Sequence, residues 1–296
     1  MINRILDFSE APARLRVHVA QLVVERQNLP EVSVPLVDLA VVLVAHPQVT
    51  FSQAVLSGLA SAGGVFVTCD RYNLPVGMLL PLAGHTTQAE RFAAQARAPL
   101  PVRKRLWQQI VRAKIQAQAA LLVKLRGMDF GLGPLVPRVH SGDPSNVEAR
   151  AARRYWPQVF ADLDFRRHRE NEDQNILLNY GYAVLRAIVA RAICAAGLHP
   201  SLGIHHHNRY NAFCLADDLM EPYRPVVDRA VAEYMSTHDE PYKLEAAAKQ
   251  NIIGELTGRY AVDGQQRTLF DTAARMASSL ADVFLGNAEE LELPDW

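Results

Sequence analysis

Residues 103–122, Arg103-Lys-Arg-Leu-Trp107-Gln-Gln-Ile-Val111-Arg-Ala-Lys-Ile115-Gln-Ala-Gln-Ala119-Ala-Leu-Leu122, set the character of the longer part of the chain. Trp107, Val111, Ile115, Ala119 and Leu122 recur at spacings of three and four, the apolar stripe of a helix that packs on one side. Arg103, Lys104, Arg105, Arg112 and Lys114 fill the rest of the helix and are expected in water. The same period continues C-terminally. Ala149, Ala152 and Trp156 line one side of a helix within Asn146–Trp156, and Leu178, Tyr182, Leu185, Val189 and Ile193 mark a long helix ending near Gly197 and Pro200. Residues 226–236 and 266–285 also read as helices. Gly127–Pro137 and Asp162–Asp173 read as loops, and the acidic end, Glu289 to Trp296, as a loosely held tail.

Before Gly84 the period is two. Leu15, Val17 and Val19 alternate with Arg16 and His18, and Val32-Ser-Val34 and Leu39–Val44 continue in strand-forming residues between Pro30, Pro35 and Pro47. Ser52–Ala62 is a short helix stopped by Gly63-Gly64. Val65–Cys69 follows as a strand, Asp70–Pro75 as a turn and Val76–Leu82 as a last strand. The fold class is therefore α+β: a small β-rich N-terminal domain, 1–85, followed by a larger all-helical domain, 86–296.

At 296 residues and 49% hydrophobic content the chain can bury a substantial core. No run approaches the roughly 20 apolar residues of a membrane span; the nearest, 183–198, is interrupted by Arg186 and Arg191. Arg4, Asp7, Glu10, Arg14 and Arg16 break up any secretory leader, so a cytoplasmic protein without membrane contact is expected. Cys69, Cys194 and Cys214 are widely spaced and read as buried small residues rather than a disulfide framework or thiolate zinc site. Net charge is zero but uneven. Residues 91–169 carry 16 Lys and Arg against 5 Asp and Glu, whereas residues 170–296 carry 10 against 19. A basic middle suits a phosphate backbone, and equally a solvated helical face balanced by the acidic third.

The second informative stretch is 203–225, Gly203-Ile-His205-His206-His207-Asn-Arg-Tyr-Asn211-Ala-Phe-Cys214-Leu-Ala-Asp217-Asp218-Leu-Met-Glu221-Pro-Tyr-Arg-Pro225. Imidazoles stand at one end and carboxylates at the other, a donor set for a divalent cation. In a helix, Asp218 and Glu221 share a face at i, i+3, and Asp217 and Glu221 at i, i+4. Pro222 and Pro225 complicate that helix. Solvated histidines and acids favoured at a helix start are the competing reading. Glu148, the only acid among Arg150, Arg153 and Arg154 on its helix, is either a helix-start carboxylate paired with a neighbouring arginine or a further oxygen donor brought in from elsewhere.

Taken together these pieces resemble the integrase-endonuclease family of CRISPR spacer acquisition. The resemblance rests on Ser61-Ala-Gly-Gly-Val65 with Asp70 and Pro75-Val-Gly77, on Trp107–Ile115 with Gln118, and on Glu148–Trp156. It continues in Asn175–Tyr182 and in Gly203–His206 followed by Leu215–Pro225. The Asn211-Ala-Phe-Cys-Leu-Ala form is similar to the type II branch. The resemblance implies a dimerising β-rich domain and a helical catalytic domain whose Mg²⁺ or Mn²⁺ is held by Glu148, His206 and Glu221. His205, Asp217 and Asp218 are further ligands or supports of ligands, and the Gly-x-x-His spacing selects His206 among the three histidines. It also implies that a spacer 3′-hydroxyl attacks a phosphodiester of the CRISPR repeat. The implied partners are double-stranded DNA, a second copy, and a small ferredoxin-like CRISPR-associated protein in a heterohexamer, with room for other type II adaptation proteins. Arg103, Lys104, Arg166, Arg167 and Arg169 of the basic third are the expected phosphate contacts. Two other readings are a structural DNA-binding protein with a degenerate metal site and an interaction scaffold without chemistry. A zinc hydrolase built on the histidines is disfavoured because no HExxH spacing occurs.

Overall fold

The computed structural model describes residues 2–70, 75–168, 170–171, 173–238, 242–262 and 264–295. Its strands lie almost entirely in the first 80 residues and form two four-stranded sheets. In the first sheet, β1 (Arg4–Phe8), β5 (Leu39–Val44) and β7 (Val65–Cys69) run parallel and β8 (Pro75–Leu79) closes the edge antiparallel to β7. The second sheet has the order β4 (Val32–Pro35), β3 (Gln21–Glu25), β2 (Arg14–His18) and β6 (Thr50–Phe51). α1 (Gln53–Ser61) lies beside it and sends Val55 and Leu59 into the small core that also holds Leu15, Leu22 and Val24.

All six residues of β5 are buried because this inner strand is covered on both faces. Leu39, Val42 and Val44 enter the small core against the second sheet, whereas Ala40, Val41 and Leu43 join Ile5, Val65 and Val67 in the large core of the helical region. A strand covered on both sides must be apolar throughout, which is why Leu39–Val44 lacks the alternation seen in Leu15–His18.

The helical region consists of α2 (Gln88–Arg97), α3 (Leu100–Arg126), α4 (Val147–Val159), α5 (Asn175–Ala195), α6 (Cys214–Leu219), α7 (Arg224–Met235), α8 (Ala246–Leu256) and α9 (Leu269–Leu285). α5 is its axis. It is long and apolar enough to cross a membrane, yet 78% of its most apolar stretch is buried against protein. The arginines that interrupt its apolar run are fasteners: Arg191 Nε donates to Gly63 O at 2.7 Å, and Arg186 serves the site described below. α3 ends at Gly127, whose left-handed φ of 81° lets its N–H reach Val123 O. Arg126, in the last turn of α3, donates to the carbonyls of Gln158 and Val159 at the end of α4 and fixes these helices side by side.

Several sequence-based expectations change. β1 and β3 add strands that polar neighbours obscured, and the last strand ends at Leu79 rather than Leu82. The expected turn at Asp70–Pro75 falls largely outside the described residues. The helical region also carries a hairpin, β9 (Arg259–Val262) with β10 (Gln265–Thr268), next to Gly264 with its φ of 69°. The acidic end is held rather than loose. Leu291 is buried and donates its N–H to Gln109 Oε1, Glu292 N–H donates to Ser279 Oγ, and the Glu292 carboxylate pairs with Arg275 at 2.6 Å.

Gly84, where strands give way to helices, sits so close to the end of α5 that a Cβ there would lie 1.9 Å from Cys194 O. Backbone cannot yield as a side-chain tip can. Gly84→Ala is expected to cost about 1–3 kcal/mol or more by overpacking, read as a lower urea midpoint with unchanged slope.

Candidate metal centre and its surroundings

Asp218 organises the histidine segment. It lies on α6 with no exposed surface, and the Gly203–His206 loop closes over its carboxylate. Oδ2 accepts the N–H groups of Ile204 and His205 at 2.6 and 2.9 Å, and Oδ1 accepts that of His206 at 3.2 Å. The fourth bond runs from His206 Nδ1 to Oδ1 at 2.6 Å. An ionised carboxylate only accepts, so Nδ1 carries the proton and Nε2 is the ring atom left for a ligand. The glycine is needed because a Cβ at Gly203 would meet His206 O at 2.3 Å and Cys214 Cβ at 2.9 Å. The hydrogen bond to Asp218, opposed by burial, raises the His206 pKa.

The three histidines separate by environment. His206 is held by Asp218 and meets the Trp107 ring edge-on. His205 instead stacks flat on Trp107, with ring centres 4.1 Å apart and planes 4° from parallel. Burial lowers its pKa. Asp217 is not solvated: Arg186 Nε and Asn211 Nδ2 each reach it at 2.7 Å. Cys214 is buried under the loop, with its Sγ directed at the carbonyls of Asn208 and Asn211.

Glu148 arrives from α4. Asn146, in the left-handed region, caps that helix, and Asp143 accepts the N–H groups of Val147 and Glu148 at 2.9 and 3.0 Å. Glu221 follows α6 in a short 3₁₀ turn, Glu221–Tyr223, that leads into α7. Pro222 and Pro225 fall in the first turns of this segment and of α7, where proline is accommodated. The two glutamates meet at Lys114 of α3. Its Nζ lies 2.5 Å from Glu148 Oε1 and 2.6 Å from Glu221 Oε2. Arg224 Nε holds the other Glu221 oxygen at 2.8 Å. Although burial alone would raise its pKa, Arg224 and Lys114 bring Glu221 down to about 2. Burial likewise opposes the Lys114 charge, but Glu221 and Glu148 outweigh it and raise its pKa.

Glu148 and Glu221 are thus brought together from separate helices, and Glu221 contributes to the raised pKa of His206. Among the described residues no three His, Cys, Asp or Glu side chains are gathered closely enough to hold a metal ion between them. The donor chemistry nonetheless fits a divalent cation. Glu221 Oε2 is buried beside an ammonium without a directed hydrogen bond, and His206 offers Nε2. Lys114, expected in water, is one of the site residues that the sequence does not single out. A helical stripe identifies the apolar face but does not reveal which neighbouring cation turns inward.

A cavity of about 200 Å³ is lined by Arg167, Arg186 and Arg224, with Tyr182 among its walls and no carboxylate among the described residues that line it. Arg167 is held there by Asn175 and Asn179, both at 2.7 Å, and lies over the Tyr182 ring, as Arg224 does. Of the expected phosphate contacts among the described residues, only Arg167 lines this cavity. Arg166 folds onto the carbonyls of Leu163 and Phe165, Arg103 and Lys104 stand at the start of α3, and Arg169 lies outside the described residues. Arg186 and Arg224 were not among the expected contacts. Beneath the site, Asp228 of α7 accepts the hydroxyls of Tyr155 from α4 and Tyr182 from α5 at 2.6 and 2.5 Å, tying together the helices that carry or adjoin Glu148 and Glu221.

Comparison with known proteins agrees with this architecture. The profile of the family described as CRISPR associated protein Cas1 matches residues 8–129 and 144–242. The chain belongs to the Cas1 family. It is 36% identical over 286 residues to the CRISPR-associated endonuclease Cas1 of Neisseria meningitidis serogroup C (strain 8013), covering 95% of this chain and 93% of that one. A second relative, from Pyrobaculum aerophilum, is 29% identical over 83% of this chain and 90% of its own length. Among solved structures, a casposase bound to integration product shares the fold at a TM-score of 0.81 and 19% identity, over 97% of this chain and 92% of that one. A Cas1 protein from Thermotoga maritima does so at 0.75 and 17%, over 97% and 100%.

Two outcomes test this geometry. Asp218→Ala removes the shared acceptor of three backbone amides, and exchange of the Ile204–His206 amides is expected to accelerate by at least ~10-fold, measured by hydrogen exchange. Burial pushes the Asp228 pKa up to about 6 despite its tyrosine donors. A raised carboxyl costs nothing while protonated and progressively more as it ionises. Stability attributable to this group should therefore fall as pH rises from about 4 to above about 6, by up to ~3 kcal/mol. Asp228→Asn should flatten this part of the melting profile.

Proposed function

We propose that the chain is a metal-dependent DNA integrase and endonuclease of CRISPR adaptation, which joins spacer 3′-hydroxyls to a CRISPR repeat by transesterification. The observation that carries this reading is the convergence of Glu148 and Glu221 on Lys114, with a histidine oriented by Asp218 within electrostatic reach of Glu221. Membership of the Cas1 family and the endonuclease names of the relatives support it.

In this reading Glu148, Glu221 and His206 Nε2 hold Mg²⁺ or Mn²⁺. When bound, such an ion supplies Lewis-acid stabilisation of charge growing on the phosphodiester oxygens. The protein does the remaining work. Asp218 fixes the His206 tautomer and ring direction, and Trp107 limits movement of the neighbouring rings. Arg224 keeps Glu221 ionised at any physiological pH. Arg167, Arg186 and Arg224 offer guanidinium groups to a strand phosphate next to the reacting one, positioning DNA without reading its bases. Water in place of the 3′-hydroxyl gives hydrolysis by the same machinery.

The partners follow from the same reading. Residues 1–85 are assigned dimerisation, and the helical region contact with a small ferredoxin-like CRISPR-associated protein in a heterohexamer. The solved Cas6-RT-Cas1–Cas2 complex contains a chain of this fold, at a TM-score of 0.76 and 19% identity over all of this chain and 36% of that one.

The test is strand transfer. The protein and its small partner are mixed with a supercoiled plasmid carrying a repeat and a labelled duplex with free 3′-hydroxyls, with and without divalent metal. Metal-dependent label on the plasmid is expected. Glu148→Ala should reduce it by at least ~100-fold, beyond the loss typical of a residue that only supports a ligand, while DNA affinity stays within a few-fold. Salt-sensitive DNA binding with no transfer would favour a structural DNA-binding role.

A further inference from the structure

We propose that Lys114 is a built-in counter-cation of the Glu148–Glu221 pair, and that a divalent cation enters the site by exchanging with its ammonium. The inference rests on the metal reading above and adds to it a competitor carried by the chain itself.

Three observations lead there. Lys114 Nζ is placed between the carboxylates, 2.5 Å from one oxygen and 2.6 Å from the other, so a cation held by the same two side chains would compete for the volume that the ammonium fills. Lys114 is also committed: its side chain is 11% exposed, on a helix otherwise packed into the core by Trp107, Ile110, Val111 and Ile115. Charge provides the third argument. Glu148 and Glu221 carry −2, and Lys114 and Arg224 carry +2. Adding a divalent ion while the ammonium stays would leave +2 concentrated in a largely buried site. Exchange leaves +1, which one phosphodiester then neutralises. Asp218 does not alter this comparison, because its carboxylate, engaged by three amides and His206, contributes the same charge whether the ammonium stays or leaves. Arg224 does not exchange, since it holds the opposite Glu221 oxygen and is braced over Tyr182.

The full-length protein, freed of metal with chelator, is titrated with Mn²⁺ and free ion is followed by its paramagnetic resonance signal. Lys114→Met, similar in length and uncharged, is expected to bind Mn²⁺ at least ~10-fold more tightly than the native chain, because the competitor is gone. Its melting temperature should fall below that of the native chain in chelator, and the gap should close at saturating Mn²⁺. Equal or weaker binding by Lys114→Met would overturn the proposal and make Lys114 a clamp that holds the ligands in place. Absence of Mn²⁺ binding by both proteins would overturn the metal reading itself. A measurement on the native chain covers the case in which the variant does not fold. Amine labelling read by mass spectrometry should find Lys114 slower than Lys104 or Lys124 in chelator and faster once Mn²⁺ is added. A labelling rate that Mn²⁺ leaves unchanged would overturn exchange.

Discussion

Two carboxylates cannot be taken out of water side by side unless cations go with them, and this constraint shapes the centre of the molecule. Glu148 comes from the start of α4, Glu221 from the turn before α7, Lys114 from the middle of α3 and Arg224 from the start of α7. None of these charges is satisfied by its own helix alone except through the short Glu221–Arg224 link. The surrounding architecture therefore has to keep three helices in register. It does so with the Asp228 bonds to Tyr155 and Tyr182, and with the Arg126 contacts that bind the ends of α3 and α4.

The histidine side of the site follows a different principle. Its loop is short, polar and on the surface, and order comes from one buried acceptor that collects successive backbone donors. Such an arrangement resembles a helix cap more than an ion pair: the charge of Asp218 is spread over N–H groups that would otherwise need water. The consequence for chemistry is directional. His206 inherits its ring orientation from the same acid that gathers the amides of its loop, whereas Glu221 inherits its position from cations on α3 and α7.

How much of this was legible in the sequence depends on whether a residue's environment is local. The α3 stripe, the start of α4 near Asn146, the length of α5 and the division between strands and helices were read from periodicity and caps, because those signals are written by neighbours in the chain. The importance of Glu148, His206 and Glu221 came from resemblance, and the geometry brings the glutamates together. Lys114 and Arg224 were not picked out, since an inward-facing cation has the same spacing as a solvated one. The α8 helix was missed because Ala246-Ala-Ala-Lys-Gln-Asn has little contrast between faces, and the ordered acidic end because its anchors, Gln109, Arg275 and Ser279, are remote in sequence.

The strand β5 has a consequence for how such chains can diverge. Because the side chains of Leu39–Val44 are divided between two cores, the first sheet is simultaneously the floor of one and the roof of the other. Exchanging the N-terminal strands between related proteins by recombination would carry over half of an interface whose complement is written in α5, more than 130 residues downstream. Arg191 on Gly63, Tyr180 on Asp7 and Lys249 on Ser9 would have to travel with it. The two regions are thus bound to evolve as one inheritance, with surface loops the places where lineages can differ cheaply.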